Sequence, residues 1–169
     1  KDSSEIENII IDATIKANLA LGVRYGLTHT ELILDKENKP FLLETAGRGG
    51  GFYVFDELVH KVTGIDYSKV YIGLLMKQEP IDQTIERKRS AAIKYLPSEL
   101  GTVKSISGFS EANQLAGVKA ECFIKEGDST RACTNDADRV GYILVHGESR
   151  KELNRLFMEA DSLIKISYF

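Results

Sequence analysis

Tryptophan is absent from this 169-residue sequence, and cysteine, proline and histidine are scarce, at two, three and three residues. Cys122 and Cys133 lack the spacing of a metal site, and two cysteines do not make a disulfide framework. We therefore expect two reduced thiols in a cytoplasmic protein. The apolar runs are far too short to span a bilayer, which argues against a membrane-embedded protein.

A strong excess of either charge is also absent. The 22 Lys and Arg residues and the 25 Asp and Glu residues give a net charge of −3, and the sequence pI is about 5.7. This balance argues against a protein that binds nucleic acid or membrane surfaces through its overall charge. The alternative is a local charged patch. With 43% hydrophobic residues, the chain can build one sizeable core or two small ones.

The first part of the chain predicts a helix, a hairpin and then further helices. Ser4 begins a capping-box pattern, and helical spacing of apolar residues continues to near Gly22. Two apolar-rich runs then flank the polar turn 35–40, which predicts a β-hairpin. Two helical patterns follow, of which the second can be capped by Asp66 and must end before Pro80.

The second part of the chain has a different composition and a different pattern of apolar residues. We expect residues 81–90, which are polar and charged, to link a region 1–80 to a region 91–169. The latter holds short runs rich in Val, Ile and Tyr, broken by Gly, Asp and Pro, which predict strands, and a second capping-box helix begins at Ser149. We expect a small α+β unit with a mostly antiparallel sheet and helices on one face, without a catalytic cluster.

The predicted hairpin brings two acidic residues together. If Leu34 pairs with Phe41 across the turn, Glu31 lies opposite Glu44 on one face, with Cβ atoms roughly 4.5–5.5 Å apart. Two like charges at that distance repel, whereas a hard divalent cation bound together with phosphates would make the pair favourable. The alternative is that both glutamates simply face water, as surface acids usually do.

A glycine-rich stretch follows the second glutamate directly. Arg48 lies among Gly47, Gly49, Gly50 and Gly51. A guanidinium can present two parallel N–H donors to phosphate oxygens, and glycines let main-chain N–H groups approach an anion. The alternative is a flexible turn between a strand and a helix. The opposed glutamates and the Gly/Arg loop together are more specific than either alone.

The stretch GLTHTELILDKENKPFLLETAGRGGG resembles the metal-binding end of the ATP-grasp fold, in which glutamates on two successive strands precede an Asn, an Arg and a Gly-rich turn. The following DELVHKVTGIDYSKVYIGLLMKQ looks like the helices after that site, and the tail looks like the C-terminal subdomain of the L-amino-acid-ligase branch. The resemblance implies an α+β chain. Its first part would be the C-terminal half of an ATP-grasp fold, with an antiparallel metal-binding hairpin and helices, and a small α+β sheet subdomain would follow.

The resemblance also implies a reaction and a role for each site residue. Glu31 and Glu44 would hold Mg²⁺ or Mn²⁺ bridging the phosphates of ATP, and Arg48 would stabilise the γ-phosphate or an acyl phosphate. The loop at Gly49, Gly50 and Gly51 would contact substrate. The parent enzyme would be a ligase that joins a small-molecule carboxylate to an amine through an acyl phosphate.

Two departures from the family pattern are visible. Ala46 occupies the position where the family often has an Asn metal ligand. His29 lies opposite Ala46 in the assumed register and could fill the gap, contact substrate or merely pack. The nucleotide-gripping first half of the family is not recognisable, so we expect a C-terminal fragment that is inactive alone.

Other readings stay open. The chain could belong to a carbamoyl-phosphate-synthase-like or purine-biosynthetic branch, or it could be a non-catalytic binding module derived from the same scaffold. We expect no nucleic-acid or membrane partner, and a homodimer is one option for its assembly.

Overall fold

The computed structural model describes residues 3–77 and 90–169, which divide into two compact units. The first unit takes the described residues within Lys1–Asp56 and Asp66–Gln83, and the second takes those within Glu57–Ile65 and Thr84–Phe169. The expected linker 81–90 lies outside the described residues except for Ser90, which begins a strand.

The first unit is built from a long helix, a hairpin and a short helix. Its elements are α1 (Ser3–Ala20), β1 (His29–Leu34), β2 (Pro40–Ala46) and α3 (Tyr67–Leu75). Helix α1 contacts β2. The helix already includes Ser3, so Ser4 lies in its first turn and the prediction of Ser4 as the N-cap is wrong. The predicted cap of α3 is confirmed, because the Asp66 carboxylate accepts a hydrogen bond from the backbone N–H of Lys69.

A π-helical turn and a short helix lie between the hairpin and α3. The π-helical turn spans Val54–Leu58 and continues into α2 (Val59–Thr63). Helix α2 ends at Gly64, whose φ of 75° is the left-handed conformation that glycine adopts without strain. One helical pattern in the sequence therefore becomes two kinds of helix.

The second unit contains two three-stranded antiparallel sheets. One has the order β3-β7-β5 and the other β6-β4-β8. The strands are β3 (Ser90–Pro97), β4 (Gly101–Ser107), β5 (Val118–Cys122), β6 (Ser129–Thr130), β7 (Arg139–Gly147) and β8 (Lys165–Tyr168), and the helices are α4 (Phe109–Ala112), α5 (Arg150–Leu163) and a 3₁₀ turn at Asp136–Asp138. The predicted α+β class is confirmed. Ser149 is the N-cap of α5 as expected, because its hydroxyl accepts a hydrogen bond from the N–H of Glu152.

Strand β7 is covered on both faces. Residues 140–145 are all buried. Ile143 and Val145 belong to the core that packs against α5, whereas Tyr142 and Leu144 point to the other face and are also fully buried. The expectation of helices on one face is therefore wrong. Residues 57–65 belong to this unit, and Glu57 contacts Lys119 on the second face of the sheet.

An ion pair lies on this second face of the sheet. Lys119 lies directly opposite Leu144 in the β5–β7 register, and its Nζ is 2.5 Å from Oε1 of Glu57 in the π-helical turn. The neighbouring hydroxyl of Tyr142 donates to Oε2 of Glu121 at 3.0 Å. These contacts give the polar side chains on this face the hydrogen-bond partners that they lose when they are removed from water. None of the helices in the described ranges is both long and apolar enough to cross a membrane.

Candidate functional site

The hairpin places the two glutamates opposite each other. In the observed register Glu31 pairs with Glu44, Thr30 with Thr45, and His29 with Ala46. Directly opposed residues of an antiparallel pair share a face, so the two carboxylates stand side by side. The predicted pairing at this end of the hairpin is confirmed.

The pairing near the turn differs from the prediction by one residue. Leu34 pairs with Pro40 and Ile33 with Phe41, and the register shifts between Glu31 and Leu32. Leu43 is the extra residue of a β-bulge on the second strand. The predicted Leu34–Phe41 pair is wrong, and the acidic pair was found because the bulge restores the register that a regular hairpin from this turn would have lost.

The acidic pair faces outward and is accessible. The Glu31 side chain is 52% exposed, and Glu44 is also exposed. Among the residues that the structure describes, no three His, Cys, Asp or Glu side chains are grouped to hold a metal ion. Mg²⁺ in proteins usually takes one or two carboxylates together with phosphate oxygens and water. Glu31 and Glu44 are the carboxylates of the hairpin that could hold such an ion.

His29 joins the acidic pair to the glycine loop. Its Nε2 lies 3.2 Å from Oε1 of Glu31. On the other side of the ring, a Cβ added at Gly50 would lie 3.0 Å from Nδ1. The ring is thus held between the carboxylate and bare main chain. Any side chain at position 50 would have to displace it.

The glycines of the loop have different surroundings. A Cβ at Gly49 would lie 2.4 Å from Cγ of the Phe55 ring, so that ring rests directly on the main chain. A Cβ at Gly51 would meet nothing within 4 Å. Gly49 and Gly50 therefore serve close packing, whereas Gly51 leaves open space at the loop.

Arg48 is exposed and folds back over this loop. One of its terminal nitrogens, Nη1, donates to the carbonyl oxygen of Gly49 at 2.9 Å. The rest of the guanidinium has no partner within the described ranges. A guanidinium fixed at one end and exposed at the other can receive an anionic oxygen.

Comparisons with known proteins concern the fold and the family of the chain. Residues 94–168 match the family model for L-amino acid ligase C-terminal domain 2. The whole chain also matches the crystal structure of L-amino acid ligase from Bacillus licheniformis, with a TM-score of 0.85 and 28% sequence identity. The chain has the fold of the C-terminal portion of ATP-grasp ligases.

Two further matches are similar to parts of ligases. The chain is 35% identical over 71 residues to the alanine–anticapsin ligase of Bacillus subtilis (strain 168), a match that covers 42% of this chain and 15% of that protein. All of the chain also matches phosphoribosylglycinamide synthetase from Anaerococcus prevotii, with a TM-score of 0.85 at 20% identity. The chain spans 42% of the B. licheniformis structure and 44% of the A. prevotii structure, less than half of each.

The comparisons bear differently on the two units. The family match at 94–168 lies within the second unit and does not include the hairpin or the glycine loop. The hairpin is covered by the structural matches, which extend over the entire chain. The family match therefore says nothing about Glu31, Glu44 or Arg48.

Two aromatic residues beside the site were missed by the sequence reasoning. Phe52 and Tyr53 have φ angles of 48° and 63°, which side-chain-bearing residues rarely adopt. None of Gly47, Gly49, Gly50 and Gly51 has a positive φ, and the π-helical turn follows at once. Strained backbone and π-helical turns concentrate at functional sites. No feature of the sequence indicated that the aromatic residues, rather than the glycines, would take the left-handed conformation.

Proposed function

We propose that this chain is the metal-binding portion of an ATP- and Mg²⁺-dependent ligase that joins a carboxylate to an amine through an acyl phosphate. The observation that carries the proposal is the exposed, directly opposed pair of Glu31 and Glu44. The similarity to L-amino acid ligases favours amino acids as substrates. Because the chain spans less than half of those structures, the activity is that of a longer protein.

The donor set suits a hard divalent cation. Glu31 and Glu44 would hold Mg²⁺ on the exposed face of the hairpin, with the remaining positions taken by phosphate oxygens and water. The bound ion would supply charge neutralisation and orientation of the phosphates. The free side of the Arg48 guanidinium would stabilise the negative charge that redistributes as the carboxylate is phosphorylated.

His29 has a supporting role in this proposal. Imidazole is a poor ligand for Mg²⁺ compared with oxygen. Its Nε2 faces the Glu31 carboxylate, so the ring would orient that carboxylate and would not replace the ligand that Ala46 cannot supply. Loss of such an orienting contact typically lowers metal affinity by about 10–100-fold.

The first test uses Mn²⁺ as a paramagnetic probe on the purified chain. Mn²⁺ at low concentration should broaden the NMR signals of residues around Glu31 and Glu44 before any others. Glu44→Gln should remove this local broadening because it keeps the shape and deletes the charge. Glu37→Gln is the matched control, since Glu37 is an exposed acid in the turn of the same hairpin. Equal broadening in both variants would reject the metal site.

The second test uses the longer ligase that contains this chain. ATP-dependent phosphate release is measured with pairs of amino acids, and Glu44→Gln should lower turnover by at least about 100-fold, the scale of losing an electrostatic group at the reacting phosphate. Glu37→Gln should leave turnover unchanged. Full activity of Glu44→Gln would refute the proposal. The absence of ADP formation with any carboxylate would favour a non-catalytic module instead, the reading to which Ala46 points.

A further inference from the structure

A cavity of about 440 Å³ lies wholly within the second unit. Its wall is formed by residues from the ends of four segments: the loop after β3, the loop before β6, the stretch from β6 to Arg131, and the 3₁₀ turn with the start of β7. A volume of this size falls in the range of small-molecule sites, roughly 300–1,000 Å³. None of its lining residues belongs to the hairpin or the glycine loop.

Two guanidinium groups in the wall are held in fixed orientations. The Nε of Arg131 donates to the Asp138 carboxylate at 2.5 Å. The guanidinium of Arg139 stacks on the Tyr95 ring, 4.0 Å from its centroid, and forms an ion pair with Asp136. An arginine that is already oriented loses less freedom when it binds an anion than a mobile one does.

Arg131 keeps unused donors. Its side chain is 68% exposed, and its two terminal nitrogens have no partner among the residues that the structure describes. Asp138, in contrast, is only 4% exposed and also accepts from the backbone N–H and hydroxyl of Thr134 and the N–H of Asn135. The carboxylate is thus saturated with donors. The terminal nitrogens of Arg131 can donate to the carboxylate of a ligand while Nε keeps its hydrogen bond to Asp138.

The rest of the wall limits the kind of ligand. Ile124, Ala137 and Val140 form apolar parts of the wall, and the exposed Ser129 provides a hydroxyl group. The charges of the two arginines are balanced by those of Asp136 and Asp138, so the local field favours a singly charged anion over a doubly charged phosphate.

We propose that this cavity is a binding site for a small monocarboxylate with a short apolar body, with Arg131 as the anchor for the carboxylate. The carboxylate pairs with the terminal nitrogens of Arg131, and the apolar body covers Ile124 and Ala137. The proposal uses only residues of the second unit and stands whether or not the ligase function holds.

The test is an NMR titration of the chain with N-acetyl-L-alanine, which carries one carboxylate and no amine. Saturable shifts are expected at the amides of Ser98, of residues 129–131 and of residues 137–140. N-acetyl-L-alanine methylamide is the neutral match and should cause none of them. Shifts that never saturate, that spread over surface lysines or that the methylamide reproduces would overturn the proposal. Equal or tighter binding of inorganic phosphate would overturn the assignment to a monocarboxylate.

Two variants of cavity residues, with one control, separate the effect of charge on binding from the effect of the space in the cavity. Arg131→Gln should weaken binding by about tenfold or more, the scale of one hydrogen bond to a charged group. Lys151→Gln, which removes a charge from the exposed surface of α5 outside the cavity wall, should bind like the wild type. Ala137→Leu reduces the space while keeping every charge, and it should weaken binding independently of any effect of Arg131→Gln on folding. Unchanged affinity in both cavity variants would reject the site.

Discussion

Gly108 offers a severe and well-controlled test of the packing in the second unit. It is the N-cap of α4 with a φ of 86°. A Cβ at this position would lie 2.0 Å from the carbonyl oxygen of Leu163 and 2.4 Å from its carbonyl carbon. Both atoms belong to the backbone, so they cannot rotate away as a side chain could. Leu163 is the last residue of α5. Gly108→Ala must therefore push the end of α5 away from the start of α4.

The expected loss of stability has two parts. Alanine in the left-handed conformation costs about 1–2 kcal/mol. Forcing extra volume into a packed contact costs about 1–3 kcal/mol more. We expect Gly108→Ala to lower the free energy of unfolding of the second unit by about 2–5 kcal/mol, a large share of the roughly 5–15 kcal/mol typical of a domain.

Gly127→Ala is the matched control. Gly127 has nearly the same φ, 88°, but an added Cβ would meet nothing within 4 Å. It should lose only the conformational part, about 1–2 kcal/mol. Hydrogen exchange of the buried amides 140–145 in β7 reports on the second unit alone, so it measures both losses without interference from the first unit. Equal losses in the two variants would refute the close approach of α4 and α5.

Three further predictions concern single groups. Hydrogen bonds from Thr134 and Arg131 lower the pKa of Asp138 from 3.8 to about 2. The ionised carboxylate therefore stabilises the fold above pH 3.8, and this stabilisation is lost as the pH falls towards 2. Thermal melts of Asp138→Asn should lack this part of the acid destabilisation, and melting temperatures that fall in parallel with those of the wild type would contradict it. Burial raises the pKa of Tyr142 from 10.0 to about 12. The stability that its neutral hydroxyl contributes is therefore retained below pH 10 and lost between pH 10 and 12. Absorbance titration should show a late tyrosine step that Tyr142→Phe removes, and an unchanged titration curve would contradict this. Gly50→Ala should shift the ring proton signals of His29, because the added Cβ would lie 3.0 Å from Nδ1, whereas Gly51→Ala, with nothing within 4 Å, should leave them in place.

Much of the candidate site could be predicted because hairpins obey local rules. The polar turn and the flanking apolar runs identify the two strands, and alternation then places Glu31 and Glu44 on one face. The bulge at Leu43 could not be predicted, because an extra residue leaves no local signature when its neighbours are all leucine, phenylalanine or glutamate. The prediction of the acidic pair succeeded through two deviations that cancel, a turn shifted by one residue and a bulge that shifts the register back.

By itself, the sequence determined the elements whose signals lie within a few residues: the hairpin, the Asp66 and Ser149 caps and the strand-rich second part. Tertiary structure alone decided what depends on residues far apart in the chain. Glu57 forms an ion pair with Lys119 on the second face of the β3-β7-β5 sheet, and Gly108 lies directly against the carbonyl group of Leu163. The physical reason is that burial and backbone strain are balanced over the whole packed unit, whereas capping and alternation are settled by near neighbours.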